Sequence, residues 1–380
     1  MDAHPAHLTR AYIHLDHLTH NLHLLQGLAG DRPLWPVIKA DAYGHGAEII
    51  ARHLLGLGYG TLCVADAPEA VALTEAGVRA RFIVLSATVP EHAEALVAYG
   101  LEPVVCTLEL MEALGREAQK AGKRVPVHIK VDTGMGRIGI RPEEVQAFLE
   151  RCRDFPVLQL RGLMSHFPRA DEADKAYSCA QIECFRQVIE ATGAYRIGFR
   201  HMANSAALLD LPASRFDAVR PGIALYGLRP SAEIDNPLVH HLKPVLEWKT
   251  RVTFLKEVPA GVGLSYGHAF HTERPSLIAT VPVGYADGLS RRLSNNLDLL
   301  VRGVRCPQVG RITMDMSLID VTALRGKVAL GEEVVIIGRQ GTEQVTADEL
   351  ADKLGTINYE IVSTISRRVP RIPAQMPALE

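Results

Sequence analysis

The sequence predicts an α/β protein: an N-terminal (β/α)8, TIM-like barrel followed by a C-terminal, mainly β domain. Three observations carry this. Between about residue 36 and about residue 235, short β-rich apolar runs alternate eight times with helical patterns. The runs are continuously apolar, as parallel strands covered on both faces must be. After about residue 240 helical periodicity fades, and strand-like runs separated by turn residues take over.

The eight runs are PVIKA at 36, TLCVA at 61, FIVLS at 82, LEPVVC at 101, VPVHIKV at 125, LQLRGLMSH at 158, FRHMA at 199 and FDAVR at 216. Amphipathic stretches separate them. In RPEEVQAFLERCR, residues Val145, Phe148, Leu149 and Cys152 share one helical face. In APEAVALTEAG, Pro68 suits a first helical turn and Gly77 a C-terminal stop. Eight such units fit a closed barrel better than an open sheet. A doubly wound sheet is the alternative, but no G-x-G-x-x-G follows the first run. Beyond 240, WKTRVTFLKEV, SLIATVPVGYADG, DLLVRGVRCPQVGRI and EEVVIIGR read as strands, and TADELADKLG as a helix. The expected domains are therefore 1–240 and 241–380, with RAYIHLD near 10–16 a strand of either.

Composition narrows the function classes. The chain has 380 residues, 47% hydrophobic and 22% charged, enough for a sizeable core. A formal net charge of −2 gives no electrostatic reason to expect nucleic acid or an anionic membrane as a partner. No apolar run is long enough to span a bilayer. The opening residues carry acids and histidines and have no apolar signal core, so a cytoplasmic setting is expected. Six scattered cysteines with no C-x-x-C pair suggest reduced thiols rather than disulfides or structural zinc.

Barrel active sites lie at the C-terminal strand ends, with phosphates held after strands seven and eight. Lys39 ends the first run. Lys130 ends the fifth, with Arg137 just beyond, and His166 ends the sixth. Asn204 and Ser205 follow the seventh at a helix start, and Arg220 ends the eighth. Gly222 is expected to offer an unobstructed amide, and Ser205, Gly222 and Ile223 a cradle for a phosphate dianion. A lone strand-tip lysine is more often a solvated end. Crowding with cations changes that, because nearby positive charge and burial free the amine for Schiff-base chemistry. A reactive lysine beside a phosphate cradle is the pair that pyridoxal 5'-phosphate requires.

VIKADAYGHGA closely resembles the pyridoxal-phosphate lysine motif of the alanine racemase family. KVDTGMGRIG, LMSHF, HMANSAA, VRPGIALYG, LSYG, VGYADG, GRITMDMSLIDVT and NYEI resemble further segments of that family in the same order, over nearly the whole chain. The resemblance implies a homodimer whose active sites are completed by the other subunit. It implies that Lys39 anchors pyridoxal 5'-phosphate and is the base on one face of the substrate, while Tyr266 of the other subunit serves the opposite face. Tyrosine ordinarily titrates near ~10, so such a phenol needs cationic neighbours. Arg220 would face the pyridine nitrogen, with His166 supporting it. An arginine there leaves that nitrogen unprotonated, which suits racemisation better than transamination.

By the same resemblance, Arg137 binds the cofactor phenolate and the substrate carboxylate, and Lys130 matches a lysine often carbamylated in the family. Tyr43, Ser205, Gly222, Ile223 and Tyr359 would hold the phosphate. Met314 and Asp315 of the other subunit would line the substrate pocket, and Tyr285 would narrow the entrance with Tyr359. The reaction implied is interconversion of L- and D-alanine for peptidoglycan. The alternative is a racemase of serine or of broader specificity on the same fold. Single-barrel, noncatalytic relatives would lack LSYG and TMDM, and a decarboxylase on this barrel would be expected to place an acid at position 220. Thr313 and Met316 depart from residues frequent in relatives. His14, His17, His20 and His23 recur every three residues, with His4 and His7 upstream. They fall in a segment resembling the family's ordinary first strand and helix, so no metal site is assigned.

Overall fold

The computed structural model describes residues 7–374, so His4 lies outside the described residues. They form two compact units. One comprises residues 17–42 and 46–243; the other comprises the segment up to Asp16, residues 43–45 and the chain from Pro244 onward. The first strand, β1 (Arg10–Ile13), belongs to the second unit.

The first unit is built on a parallel sheet of β2 (Thr61–Val64), β3 (Arg81–Val84), β4 (Glu102–Val105), β5 (Val125–Lys130), β6 (Leu158–Met164) and β7 (Phe199–His201), paired in that order. Eight strands were expected. The first and eighth positions are held by single parallel bridges: Leu34 to Val219, Val37 to Cys63 and His201 to Ala218. Prolines explain the missing ladders. Pro33, Pro36 and Pro221 can only accept, taking the amides of Val219, Cys63 and Val37 at 3.1, 2.8 and 2.9 Å. The ring nevertheless closes through these bridges, and β4 and β5 are buried almost throughout.

The connecting helices follow their sequence signals. Asp66 caps helix Ala67–Glu75 by accepting the Glu69 amide, Pro68 sits in the first turn, and Gly77 follows with φ 85°. Helix Val145–Cys152 buries the four residues of its apolar face. In the β5–β6 ladder Val127 pairs with Leu160 but His128 pairs with Gly162, so Arg161 is skipped in a bulge.

The second unit is mainly β. Its larger sheet runs β14 (Val304–Pro307), β13 (Asp298–Val301), β16 (Glu333–Gln340), β8 (Leu246–Arg251), β1 and β18 (Arg371–Pro373), with β17 (Glu343–Val345) also on β16. β1 lies between β8, antiparallel, and β18, parallel. A smaller sheet joins β15 (Ser317–Asp320), β12 (Ser276–Val281) and β9 (Phe254–Val258), and β10 (Gly263–Leu264) pairs with β11 (Phe270–His271). Helix Ala347–Leu354 is capped by Thr346 and closed by Gly355 at φ 68°. A further helix, Asn358–Ser363, was not expected; at six residues it is too short to show a period. No helix of the described residues is long and apolar enough to cross a membrane.

Candidate active site

Lys39 stands where the first barrel segment ends, and the chain after it does something unusual. Ala40, Asp41, Ala42 and Tyr43 have φ of 52, 53, 54 and 54°, followed by Gly44 at 80° and Gly46 at 90°. This is a turn of left-handed helix, costing roughly 1–2 kcal/mol per non-glycine residue. Specific bonds offset the cost. Ala42 N–H donates to Ile38 O at 2.8 Å, and Gly46 N–H to Asp41 O at 2.9 Å. Asp41 Oδ1 accepts the Ala47 amide at 2.7 Å. The carboxylate of Glu69 accepts the amides of Ala40 and Ala65, each at 2.7 Å. The small residues Ala40 and Ala42 suit the left-handed geometry, because Cβ branching would worsen the clash.

Lys39 is half-buried. Burial and the charge of Arg137 lower its pKa, while Glu69 opposes them. Lys130 is fully buried, and its Nζ has no hydrogen-bond partner. Burial, with Arg220 and Arg137 nearby, takes it down to about 7. His166, half-buried among Lys130, Arg220, Arg137 and Lys39, is held well below its ordinary range by desolvation and by those charges. The structure thus gathers Lys39, Lys130, Arg137, His166 and Arg220 into one electropositive rim. Arg137 itself is exposed, on a loop pinned by Asp132, whose carboxylate accepts the amides of Gly134 and Gly136 at 3.0 Å.

At the other end of the rim, Asn204 caps helix Ser205–Asp210 by accepting the Ala207 amide at 2.9 Å. Here one expectation is corrected. The Gly222 amide is not unobstructed: it donates to Ser205 Oγ at 2.8 Å, and Ala224 N–H donates to the same oxygen at 3.3 Å. Both lone pairs of the hydroxyl are engaged, so its own hydrogen is what it can offer an anion. Ile223 opens the short 3-10 helix Ile223–Tyr226 immediately after.

A second expectation is also corrected. The side chain bonded to Arg220 is His201, not His166: Arg220 Nη1 donates to His201 Nδ1 at 2.5 Å. His166 lies at the end of its strand among the cations, whereas His201 faces into the barrel beneath Arg220. Arg220 Nη2 donates to the carbonyls of Ser165 and Met202 at 2.9 and 3.3 Å. Burial lowers Arg220 to about 10, which still leaves it charged at neutral pH.

The second unit carries the remaining positions. Tyr43 is buried, and its ring lies 6.1 Å from that of Tyr359. The chain between Tyr43 and His45 is fixed there: Arg371 Nε donates to Gly44 O at 2.8 Å, and a Cβ on Gly44 would sit 2.0 Å from Val362 O. Tyr266 is 71% exposed, in a strained turn with Ser265 at φ 60° and His268 at 45°. Around it lies an open depression of about 650 Å³ that includes Arg311, Thr313 and Met316. Met314 is exposed, and its carbonyl accepts the amide of Ala286 at 3.0 Å, beside Tyr285. Asp315 pairs with Arg368 at 2.9 Å.

Comparison with known proteins decides the family. Residues 13–230 match the alanine racemase N-terminal domain, and residues 245–373 match its C-terminal domain. The chain belongs to the alanine racemase family. A curated alanine racemase of Halothermothrix orenii is 46% identical over 96% of each chain. One of Desulfovibrio desulfuricans is 43% identical over 95% of this chain and 97% of that one. The crystal structure of the Bacillus anthracis alanine racemase with bound L-Ala-P superposes with a TM-score of 0.91 at 37% identity, over 98% of this chain and 96% of that one. That of Streptomyces coelicolor gives 0.91 at 36%, over 97% and 98%. Alanine racemases are isomerases, so an enzyme of that class is the frame for these residues.

Within this alanine racemase fold, three residues escaped the sequence reading. Glu69 sits in the first turn of its helix, where an acid is ordinary, and nothing in its spacing shows that it reaches back to Ala40. Arg311 approaches Tyr266 only through the turn, its guanidinium 3.4 Å from where a Cβ on Gly267 would stand. His201 shared a strand-end position with His166, and only strand register separates them.

Proposed function

We propose that this chain interconverts L- and D-alanine with pyridoxal 5'-phosphate as cofactor, through two bases on opposite faces of the substrate. The observation that carries the reading is Lys39: an amine lowered by burial and Arg137, on a rim whose far end is built for an anion. The residues fit the cofactor. Ser205 has a hydroxyl hydrogen to offer a phosphate, Arg220 has N–H donors left for a ring nitrogen, and burial and Arg137 push Lys39 toward the neutral amine a carbonyl needs. Tyr43, Gly222, Ile223 and Tyr359 belong to the phosphate in this reading. What supports the tyrosines is that their rings associate. When bound, the cofactor supplies a conjugated electron sink that acidifies the α-hydrogen of an amino acid.

The protein's own part is to hold and move protons. Lys39 Nζ takes or returns the α-hydrogen on one face. Tyr266 Oη, from a second copy of the chain, does so on the other. Its exposure and that of Met316 in an open depression, together with the exposure of Met314, support cover by that second copy. Asp315 and Tyr285 join Met314 in shaping the substrate's approach, and Arg137 receives its carboxylate. Arg220, charged and unable to accept, keeps a ring nitrogen unprotonated and so limits transamination. Lys130, buried and near half-neutral at pH 7, has the free lone pair that carbamylation requires. The resulting anion would face Arg137. A cytoplasmic enzyme supplying D-alanine to peptidoglycan is the setting this implies, and six unpaired thiols suit it.

The test is a panel of L-amino acids incubated with the cofactor-loaded enzyme and followed by chiral product analysis. Alanine should be racemised at least about tenfold faster than serine. Preference for serine would replace this reading with the alternative, and no racemisation of any amino acid would overturn it.

A further inference from the structure

Behind Arg220 a line of buried polar groups crosses the barrel interior, where aliphatic layers are the rule. Arg220 Nη1 reaches His201 Nδ1 at 2.5 Å, and His201 Nε2 reaches His128 Nδ1 at 2.8 Å. His128 Nε2 reaches Glu102 Oε2 at 3.2 Å, and Glu102 Oε1 meets Arg81 Nη2 at 2.6 Å. His128 and His201 are wholly buried, and Glu102 is 3% exposed. Glu102 and Arg81 open β4 and β3, so the line runs from the N-terminal rim to the C-terminal rim.

Chemistry fixes the direction of every bond. A guanidinium only donates, so His201 Nδ1 must accept. Its proton is then on Nε2 and is donated to His128 Nδ1. His128 in turn carries its proton on Nε2 and donates to Glu102, a carboxylate that only accepts. Both ends demand the same orientation. Burial, with the Arg220 charge, keeps His201 neutral, and burial keeps His128 neutral too. His128 and Arg81 hold Glu102 ionised against its burial.

The surroundings are built for this line. The Arg161 bulge puts Gly162 opposite His128, and a Cβ there would lie 2.1 Å from His128 Nδ1 and 2.8 Å from His201 Nε2. Trp35 packs edge-on to His201 at 4.9 Å and to His128 at 6.0 Å.

We propose that Glu102, His128 and His201 form a one-way hydrogen-bond relay that fixes the orientation and charge of Arg220, making Glu102, at the far end of the barrel, a positioning residue for the reaction. The catalytic half of this rests on the reading that Arg220 faces the cofactor ring. Two neutral imidazoles keep the carboxylate out of contact with the guanidinium, so its positive field at the barrel mouth is preserved. Bonds aligned in one direction polarise each other, which strengthens His201 as an acceptor and resists rotation of the fork.

The relay is read first on the cofactor-free chain, by NMR of ¹⁵N-labelled histidine. Both His128 and His201 should be neutral Nε2–H tautomers; an Nδ1–H tautomer or a cation at neutral pH in either would overturn the relay. In the holoenzyme, Glu102→Gln should lower kcat on the order of tenfold, as loss of a supporting partner commonly does. KM should stay within about twofold, and the ring-nitrogen resonance of ¹⁵N-labelled pyridoxal phosphate should move. Arg81→Gln, altered at the half-exposed surface end, should act in the same direction without opening the core. Unchanged kcat and unchanged nitrogen resonances in both variants would refute the positioning role. If pyridoxal phosphate fails to bind at all, the functional reading falls, and the relay stands or falls on the tautomers alone.

Discussion

The carboxylate of Glu69 accepts the main-chain N–H of Ala40, the residue after Lys39, at 2.7 Å, and its other oxygen accepts that of Ala65 at the same distance. One side chain thus ties the left-handed turn to the end of β2. An amide has one acceptor oxygen, so Glu69→Gln leaves one of the two N–H groups without its partner. The expected loss is about 1–3 kcal/mol of stability. The Lys39 amine should also titrate lower, because Glu69 is the group that raises it. Denaturant unfolding and the pH dependence of Lys39 modification measure the two; an unchanged lysine would show that Glu69 serves the backbone only.

Tyr266→Phe removes the one hydroxyl assigned to the second face. Deuterium exchange at the α-carbon of L-alanine should fall at least about 100-fold, the ordinary worth of a positioned acid or base. Exchange from D-alanine should fall far less, because Lys39 still serves that face. Equal losses for the two enantiomers would remove the face-specific role.

Gly162→Ala should be among the most damaging glycine replacements in the barrel. The added carbon meets two ring nitrogens that are already bonded to each other, and overpacking of this kind costs about 1–3 kcal/mol. Gly56→Ala is the control, since nothing lies within 4 Å of its Cβ position. That variant should be neutral or slightly stabilised. Comparable unfolding midpoints for the two would mean that the histidines move aside freely.

Lys130 gives a pH prediction with a definite sign. Its folded pKa is about 7, whereas an unfolded lysine titrates near ~10.4. Between those values the unfolded chain binds the extra proton, so parent stability falls as pH drops from ~10.4 to 7 and is flat below. In buffer free of carbon dioxide, Lys130→Met should therefore be more stable than the parent at pH 7, on the order of a few kcal/mol. The advantage should vanish above pH ~10.5. Thermal unfolding at pH 7 and pH 11 checks this; an advantage independent of pH would mean that the amine is not the cause.

Much of this was legible in the sequence because repetition is a strong signal. Eight apolar runs separated by helical faces leave few alternatives to a barrel, and Lys39, Lys130 and Arg220 all terminate such runs. What stayed hidden depends on register and backbone sign. Skipping Arg161 decides which imidazole meets which, and no propensity reports it. Glu102 opens a run that otherwise reads as core, so its partners His128 and Arg81 appear only when β3, β4 and β5 lie side by side. Positive φ at Ala40 to Tyr43 is invisible because alanine and tyrosine rarely adopt it. The Gly222 amide seemed free because the Ser205 hydroxyl that takes it arrives from another strand end.

The position of β1 in the larger sheet has a consequence for synthesis. Arg10–Ile13 is made early, yet its neighbours are Leu246–Arg251 and Arg371–Pro373. At translation rates of roughly 5–20 residues per second, β1 waits on the order of ten seconds or longer for its first partner. The wait for its second is longer still. During that interval both edges of a four-residue strand are unpaired while the barrel residues emerge from the ribosome. Shielding this segment is therefore a task for the nascent chain, and a fragment beginning at Pro244 would leave β8 and β18 facing an empty slot.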